Sequence, residues 1–171
     1  MNRKQLFALV LVAPALAQAK GPSDPQIAGI VVTANQIDID AGKLAKARAS
    51  NKEVKDFAQQ MITDHGAVNK QAGALAKKLG VKPEDSDTRR ALEKGAAENV
   101  ASLKKLKGAQ FDKAYVEHEV AYHQQVLDAI DKVLVPSAQN TELKDLIVKV
   151  RPAIATHLEH AKHIQASLTK K

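Results

Sequence analysis

Residues 54–79 read VKDFAQQMITDHGAVNKQAGALAKKL, and apolar side chains recur there at alternating steps of three and four residues. The repeat runs Val54, Ala58, Met61, His65, Val68, Ala72, Leu75 and Leu79. This spacing places all eight side chains on one face of a helix, the face that packs inward in a bundle. His65 interrupts this apolar seam with an imidazole. A buried polar group without a partner costs about 2 kcal/mol or more, so His65 requires one.

Three further stretches carry the same repeat, and each is interrupted once by a side chain that can bind a metal. The seams are Ile27, Val31, Ala34, Asp38, Ala41 and Ala45; Val116, Val120, His123, Leu127, Ile130 and Leu134; and Leu143, Ile147, Val150, Ile154, His157, Ala161, Ile164 and Leu168. Strand-like alternation is absent, and helix-forming residues dominate the chain. The sequence therefore predicts an all-α protein, an antiparallel four-helix bundle around one core.

Caps and prolines set the expected helix boundaries. The four bundle helices are predicted over residues 25–48, 50–79, 109–134 and 141–168, with an extra amphipathic connector helix over 87–106. Asp24 is the expected cap of the first helix, and Ser50 with Glu53 forms an expected capping box for the second. Pro136 is expected to stop the third helix. Pro152 lies inside the fourth, which we expect to kink or divide there.

The beginning of the chain has the pattern of a secretory signal peptide. Arg3 and Lys4 precede an apolar run, residues 6–16, that is too short for a stable membrane anchor. The small residues around Ala19 fit a cleavage site, which predicts a signal peptide over residues 1–19 and a single domain over 20–171. No later segment is apolar enough to span a membrane, so the mature protein is expected in the periplasm or secreted.

Composition narrows the classes of partner. The chain has no cysteine, so disulfides and thiolate ligands are excluded. Removing residues 1–19 leaves 24 basic and 19 acidic side chains, interleaved on the faces opposite the seams. Scarce aromatic residues and the lack of a basic stripe argue against nucleic acid. An envelope protein or the anionic envelope surface is the expected macromolecular partner.

The four polar seam residues are predicted to lie at one level of the bundle. Asp38 and His65 lie about 18 and 22 Å from the turn between their helices, and His123 and His157 lie about 20 and 26 Å from theirs. Three imidazoles and a carboxylate suit Zn²⁺, Cu²⁺ or mononuclear iron. Glu119, four residues before His123, is a further ligand candidate or a partner of a ligand. The sequence therefore predicts a transition-metal site in the core.

Two other interpretations of these residues remain open. Asp38 and the three histidines could form a metal-free polar network that sets helix register, in an envelope stress or interaction module. Three imidazoles with an open position would also permit a metalloenzyme, although no nucleophile–base pair or Gly-rich phosphate loop accompanies them. The metal-binding hypothesis implies a protein that buffers, carries or senses a transition metal, with no established catalysis.

Several of these segments resemble the bacterial domain-of-unknown-function 4142 family. The matching stretches are DIDAGKLA at residues 38–45, VKDFAQQMITDH at 54–65, FDKAY at 111–115 leading to His123, and Pro152 leading to His157. The resemblance implies an exported, ferritin-like four-helix bundle and no established activity. Di-iron proteins of ferritin-like fold use Glu-x-x-His, and no histidine here has a carboxylate three residues before it, which argues against di-iron chemistry.

Overall fold

The structure, a computed structural model, describes residues 21–170, where all regular secondary structure is helical. The helices are α1 (Asp24–Arg48), α2 (Lys52–Leu79), α3 (Asp87–Leu103), α4 (Gly108–Ala129) and α5 (Thr141–Thr169). This confirms the predicted all-α bundle. The predicted signal peptide lies outside the described residues. Within residues 21–170, no helix combines the length and the apolar character needed to cross a membrane.

Two helical hairpins form the bundle. Helices α1 and α2 pack along each other, α4 packs against α5, and the connector α3 packs mainly on α1. The buried apolar side chains form two clusters along the bundle axis. The lower cluster includes Ala45, Val54, Phe57, Met61, Phe111, Tyr115, Val116 and Ile164, and the upper one Ile27, Ile30, Leu127, Ile130, Leu134, Leu143, Ile147, Ile154 and Leu158. The polar seam residues lie between the two clusters along the helices.

The first helix is capped by a different residue from the one predicted. Ser23, not Asp24, is the N-cap of α1, and it forms a reciprocal capping box with Gln26. Asp24 instead accepts hydrogen bonds from the backbone N–H groups of Gln139 and Asn140, both at 2.9 Å. The carboxylate of Asp24 therefore fastens the start of α5 to the start of α1.

The predicted Ser50 capping box is also wrong. Asn51 caps α2, because its Oδ1 atom accepts from the N–H groups of Glu53 at 2.8 Å and Val54 at 3.4 Å. Ser50 is occupied elsewhere, since its hydroxyl and its backbone N–H both donate to the carboxylate of Asp112 on α4. The N–H of Asn51 donates to the same carboxylate at 2.9 Å. This buried carboxylate therefore ties the α1–α2 turn to the second hairpin.

Replacing Asp112 by Ala should lower the free energy of unfolding by about 2–3 kcal/mol, because two N–H groups and one hydroxyl lose a buried, charged acceptor. Urea unfolding of the purified variant measures this loss. Asp145→Ala, at an exposed position of α5, is the control and should stay within about 0.5 kcal/mol of the wild type. A loss below about 1 kcal/mol for Asp112→Ala would show that water replaces the carboxylate.

Proline acts differently at its two helical positions. The prediction that Pro136 stops the third bundle helix is wrong. The chain stays helical to Ser137, through a π-helical turn at Ile130–Leu134. In that turn the N–H of Val135 donates to the carbonyl of Ile130, five residues back. The wider turn relieves the clash between a proline ring and the carbonyl four residues earlier. At Pro152 helix α5 continues undivided from Thr141 to Thr169.

The connector α3 ends three residues before its predicted end, at Leu103. The side chain of Leu103 is fully buried. Arg48 of α1 holds the turn that follows Leu103. The guanidinium of Arg48 donates to the backbone oxygens of Lys104 at 3.1 Å and Leu106 at 2.9 Å.

At the other end of the connector, a Cβ on Gly29 would collide with the backbone carbonyl of Glu84. Glycine at position 29 thus lets the α2–α3 segment approach α1.

Candidate metal centre

All five predicted site residues lie in one buried layer between the two apolar clusters. Helix α1 contributes Asp38, α2 contributes His65, α4 contributes Glu119 and His123, and α5 contributes His157. None is more than 3% exposed. The structure therefore brings together the four polar seam residues and Glu119, with a contribution from every helix of the two hairpins.

The three imidazoles form a nearly equilateral triangle. Ring centroids are 5.7 Å apart for His65 and His123, 5.3 Å for His65 and His157, and 5.5 Å for His123 and His157. One nitrogen from each ring lies within 4.8 Å of the other two. Nitrogens that bind one ion tetrahedrally at 2.0–2.1 Å lie about 3.3–3.4 Å apart, so a shift of each nitrogen by about 1 Å or less would bring them onto one ion.

Each imidazole is held from outside by a hydrogen-bond acceptor. The pairs are His65 Nδ1 with Asn35 Oδ1 at 2.7 Å, His123 Nδ1 with the Glu119 carbonyl at 2.9 Å, and His157 Nε2 with Asp64 Oδ2 at 2.9 Å. The amide orientation of Asn35 follows from its Nδ2 atom, which donates to the carbonyl of Val31 at 2.8 Å. Since all three partners are acceptors, the outer nitrogens carry the hydrogens, and each ring presents a lone pair on its other nitrogen.

The inner nitrogens are buried and have no hydrogen-bond partner among residues 21–170: they are His65 Nε2, His123 Nε2 and His157 Nδ1. Burial and the neighbouring imidazoles lower the pKa of His65 to about 3. Burial also lowers the pKa of His123 to about 4. The pKa of His157 is lowered for the same reason, against the opposing effect of Asp64. All three rings are therefore neutral at pH 7, the protonation state that binds metals.

Two carboxyl groups lie beside the imidazoles. Asp38 Oδ2 is 3.5 Å from His65 Nε2, and oxygens of Asp38 and Glu119 lie within 4.8 Å of each other and of a nitrogen of His123. Burial and the charge of Glu119 raise the pKa of Asp38 well above its usual range, and burial raises the pKa of Glu119 to about 8. Without a cation, this pair therefore retains protons at neutral pH. A bound cation would favour its ionised form.

The outer partners Asn35 and Asp64 escape the sequence reasoning. Asn35 lies three residues before Asp38, about one helical turn, which is a spacing that could have suggested it. Asp64 is half-exposed on α2 and reaches across to His157 on α5, a helix 93 residues further along the chain. Only the packing of the two hairpins shows that contact. Met61, one turn before His65, packs in the lower apolar cluster.

The fold is similar to that of a solved structure described as CopM in the Cu(II)-bound form. The TM-score is 0.67 at 14% sequence identity, and the match covers 86% of this chain and 98% of that chain. At this identity the likeness shows the fold alone. No curated protein sequence matches this chain. The family described as "Domain of unknown function (DUF4142)" matches residues 11–164, nearly the whole sequence. This chain is therefore a member of the DUF4142 family.

Proposed function

We propose that this protein binds a transition-metal ion, Cu(II) by preference, through His65, His123 and His157. Asp38 supplies an oxygen donor, and Glu119 supports the site. The observation that carries the proposal is the arrangement of the three neutral imidazoles, each held from outside by an acceptor while its inner nitrogen lacks a partner. Histidines that ligate metals almost always donate their other N–H to a carboxylate, a carbonyl or water, which fixes tautomer and ring orientation.

Copper is the preferred ion for three reasons. Imidazole suits copper, zinc, iron and nickel, and among the divalent ions Cu²⁺ binds nitrogen and oxygen sites most tightly. The chain has no cysteine, which removes the thiolates that favour Cu(I) or structural zinc. The similar fold of a protein described in its Cu(II)-bound form supports the same ion. Zinc and mononuclear iron are the alternative ions, and zinc is the competitor in the titration below.

A metal-free polar network explains the layer less well. In residues 21–170, a nitrogen or oxygen of each of the five side chains is buried without a hydrogen-bond partner. Each such atom costs about 1–3 kcal/mol. A network that served only to set helix register would be expected to satisfy these atoms, since partly satisfied buried networks are destabilising. A single cation in the layer would satisfy the imidazole nitrogens and the carboxylate together.

Elemental analysis and Cu(II) titration of the mature protein, purified without a His-tag or chelator, test the proposal directly. We expect about one copper per chain and an electron paramagnetic resonance spectrum with nitrogen hyperfine structure from imidazole ligands. Zinc should bind more weakly, following the affinity order of divalent ions. A protein that takes up neither ion at neutral pH and remains folded would instead be assigned to the metal-free interaction module.

Asp64 should act on the metal through His157. Asp64→Ala should weaken Cu(II) binding about 10- to 100-fold, because loss of the outer partner frees the ring to rotate and lowers its basicity. The half-exposed carboxylate carries little of the fold, so the melting temperature in chelator should stay nearly unchanged. Asp56→Ala, two turns earlier on the exposed side of α2, is the matched control. Equal copper affinity in both variants would remove Asp64 from the site.

We also propose that the protein buffers, carries or senses its metal outside the cytoplasm, in the periplasm or beyond. The support is the n-region, apolar run and small-residue cleavage pattern of residues 1–19. Mass spectrometry of the protein from the native host should show a mature chain beginning at Lys20. Recovery of a chain that keeps residues 1–19 in the cytoplasmic fraction would contradict this assignment.

A further inference from the structure

An elongated cavity of about 310 Å³ adjoins the metal centre in the upper half of the bundle. Along α1 its lining runs from Asp38 to Asp24, and along α2 from His65 to Leu79. Each stretch covers 15 residues, and its ends are about 21 Å apart along the helix. The cavity is therefore long and narrow, and one end lies at the proposed metal ligands.

The walls of the cavity are core positions that remain incompletely covered. Eight seam residues that the repeat directs inward are only partly buried, and six of them line the cavity: Val31, Ala34, Val68, Leu75, Leu79 and Val150. Val133, one of two strongly exposed large apolar side chains in residues 21–170, lies at the same cavity. In the upper half, α2 adds only the partly buried Leu75 to the apolar cluster formed by α1, α4 and α5. An apolar guest would complete this half of the core.

The floor of the cavity is polar, in contrast to its walls. Asp38 and His65 line it, and both have a buried atom without a hydrogen-bond partner among the described residues, Asp38 Oδ1 and His65 Nε2. No Lys or Arg of the described chain lines the cavity. Binding sites for small molecules typically combine a volume of about 300–1,000 Å³, apolar walls and a few convergent polar groups. This cavity has all three features.

We propose that the cavity binds a single-chain fatty acid, with its alkyl chain along the apolar walls and its carboxylate at the floor beside His65. The length of the cavity determines the length of the alkyl chain, since about 21 Å accommodates roughly 12 to 16 carbons at the rise per bond of an extended chain. The volume of about 310 Å³ suits one alkyl chain and is too small for the two chains of a phospholipid. The carboxylate is selected by charge, because a divalent ion at the floor attracts an anion, and this head-group contact alone rests on the proposed metal function.

Calorimetric titration of dodecanoic acid into the copper-loaded and the chelator-treated protein tests both parts. We expect binding to both forms, at least about tenfold tighter to the copper-loaded one, and a similar loss when methyl dodecanoate replaces the acid. Equal affinity for both protein forms would overturn the head-group placement. Absence of binding to either form would overturn the inference, while the separate copper titration reports on the proposed function.

Two cavity-filling variants test whether the alkyl chain of the fatty acid binds in the cavity. Ala72→Phe on α2 and Ala129→Phe on α4 each place a ring against a different wall, and each should weaken dodecanoate binding more than about tenfold. Ala74→Phe, at an exposed position of α2 outside the cavity, is the control and should bind like the wild type. Circular dichroism should show the helix content of the wild type in all three variants, which shows that they fold. Unchanged fatty-acid binding in both filled variants would place the ligand elsewhere and overturn the proposal.

Discussion

His123→Ala should weaken Cu(II) binding by more than about 100-fold, since loss of an outer partner alone costs 10- to 100-fold and this change removes a ligand. His123 is the residue of choice because its ring belongs both to the imidazole triangle and to the group formed with Asp38 and Glu119. Alanine leaves an ion with two imidazoles at best. The variant should also lose one nitrogen from the hyperfine pattern of any copper that remains bound.

Thermal unfolding gives an independent measure of the same change. At a free copper concentration 100 times the dissociation constant, ligand binding stabilises the native wild-type protein by about 2.7 kcal/mol. For a domain of this size that raises the melting temperature by about 5–10 °C, and the variant should shift by about 1 °C or less at the same concentration. His163→Ala, at an exposed histidine of α5, is the matched control and should respond like the wild type. Full copper stabilisation in His123→Ala would exclude the imidazole triangle as the binding site.

The candidate site could be predicted because helix periodicity is a strong constraint. In a seam spaced at three and four residues, a single polar residue must face the core together with its apolar neighbours. Counting residues from the turns then placed Asp38, His65, His123 and His157 at similar heights, and the structure has them in one layer. Glu119 followed from its position one turn before His123. These inferences use only local geometry and the antiparallel order of the helices.

Contacts between hairpins could not be predicted in the same way. The bond from His157 to Asp64 depends on how α5 packs against α2, and no spacing along the chain encodes it. The same holds for Ser50. Its hydroxyl could cap a helix, but it donates instead to the carboxylate of Asp112 on α4. A local capping rule fails where a distant charged acceptor competes for the same group.

The periodicity of the seams does not predict the cavity. The repeat states which face of a helix turns inward, but it does not fix how closely two inward faces approach. Val31 and Leu75 occupy regular seam positions, yet both border the open cavity in the upper half of the bundle. Close packing in the lower half and incomplete packing in the upper half arise from identical periodicity. The difference therefore appears only in the assembled bundle.

The metal-free protein should be most stable between about pH 4.5 and 6.5. His65 and His123 have folded pKa values of about 3 and 4 against 6.5 when exposed, so the unfolded chain binds protons more readily and stability falls as the pH drops from 6.5. Glu119 has a folded pKa of about 8 against 4.5 in the unfolded chain. The stability that its protonated form contributes is therefore lost as the pH rises from 4.5 to about 8. The pKa of Asp38 is also raised, by burial and the charge of Glu119, and adds to the loss at rising pH. The opposing effects therefore roughly balance between pH 4.5 and 6.5, and the free energy of unfolding falls on both sides of this range.

Glu119→Gln isolates the alkaline loss. The amide imitates the protonated carboxyl and cannot ionise, so in chelator this variant should exceed the wild type at pH 9 by on the order of 4 kcal/mol more than it does at pH 4.5. Urea unfolding at both pH values measures the difference. Glu117→Gln, exposed on the same helix, should track the wild type throughout. If Glu119→Gln also follows the wild type, the carboxyl is ionised inside the folded protein at neutral pH, and some group other than a proton must compensate its charge.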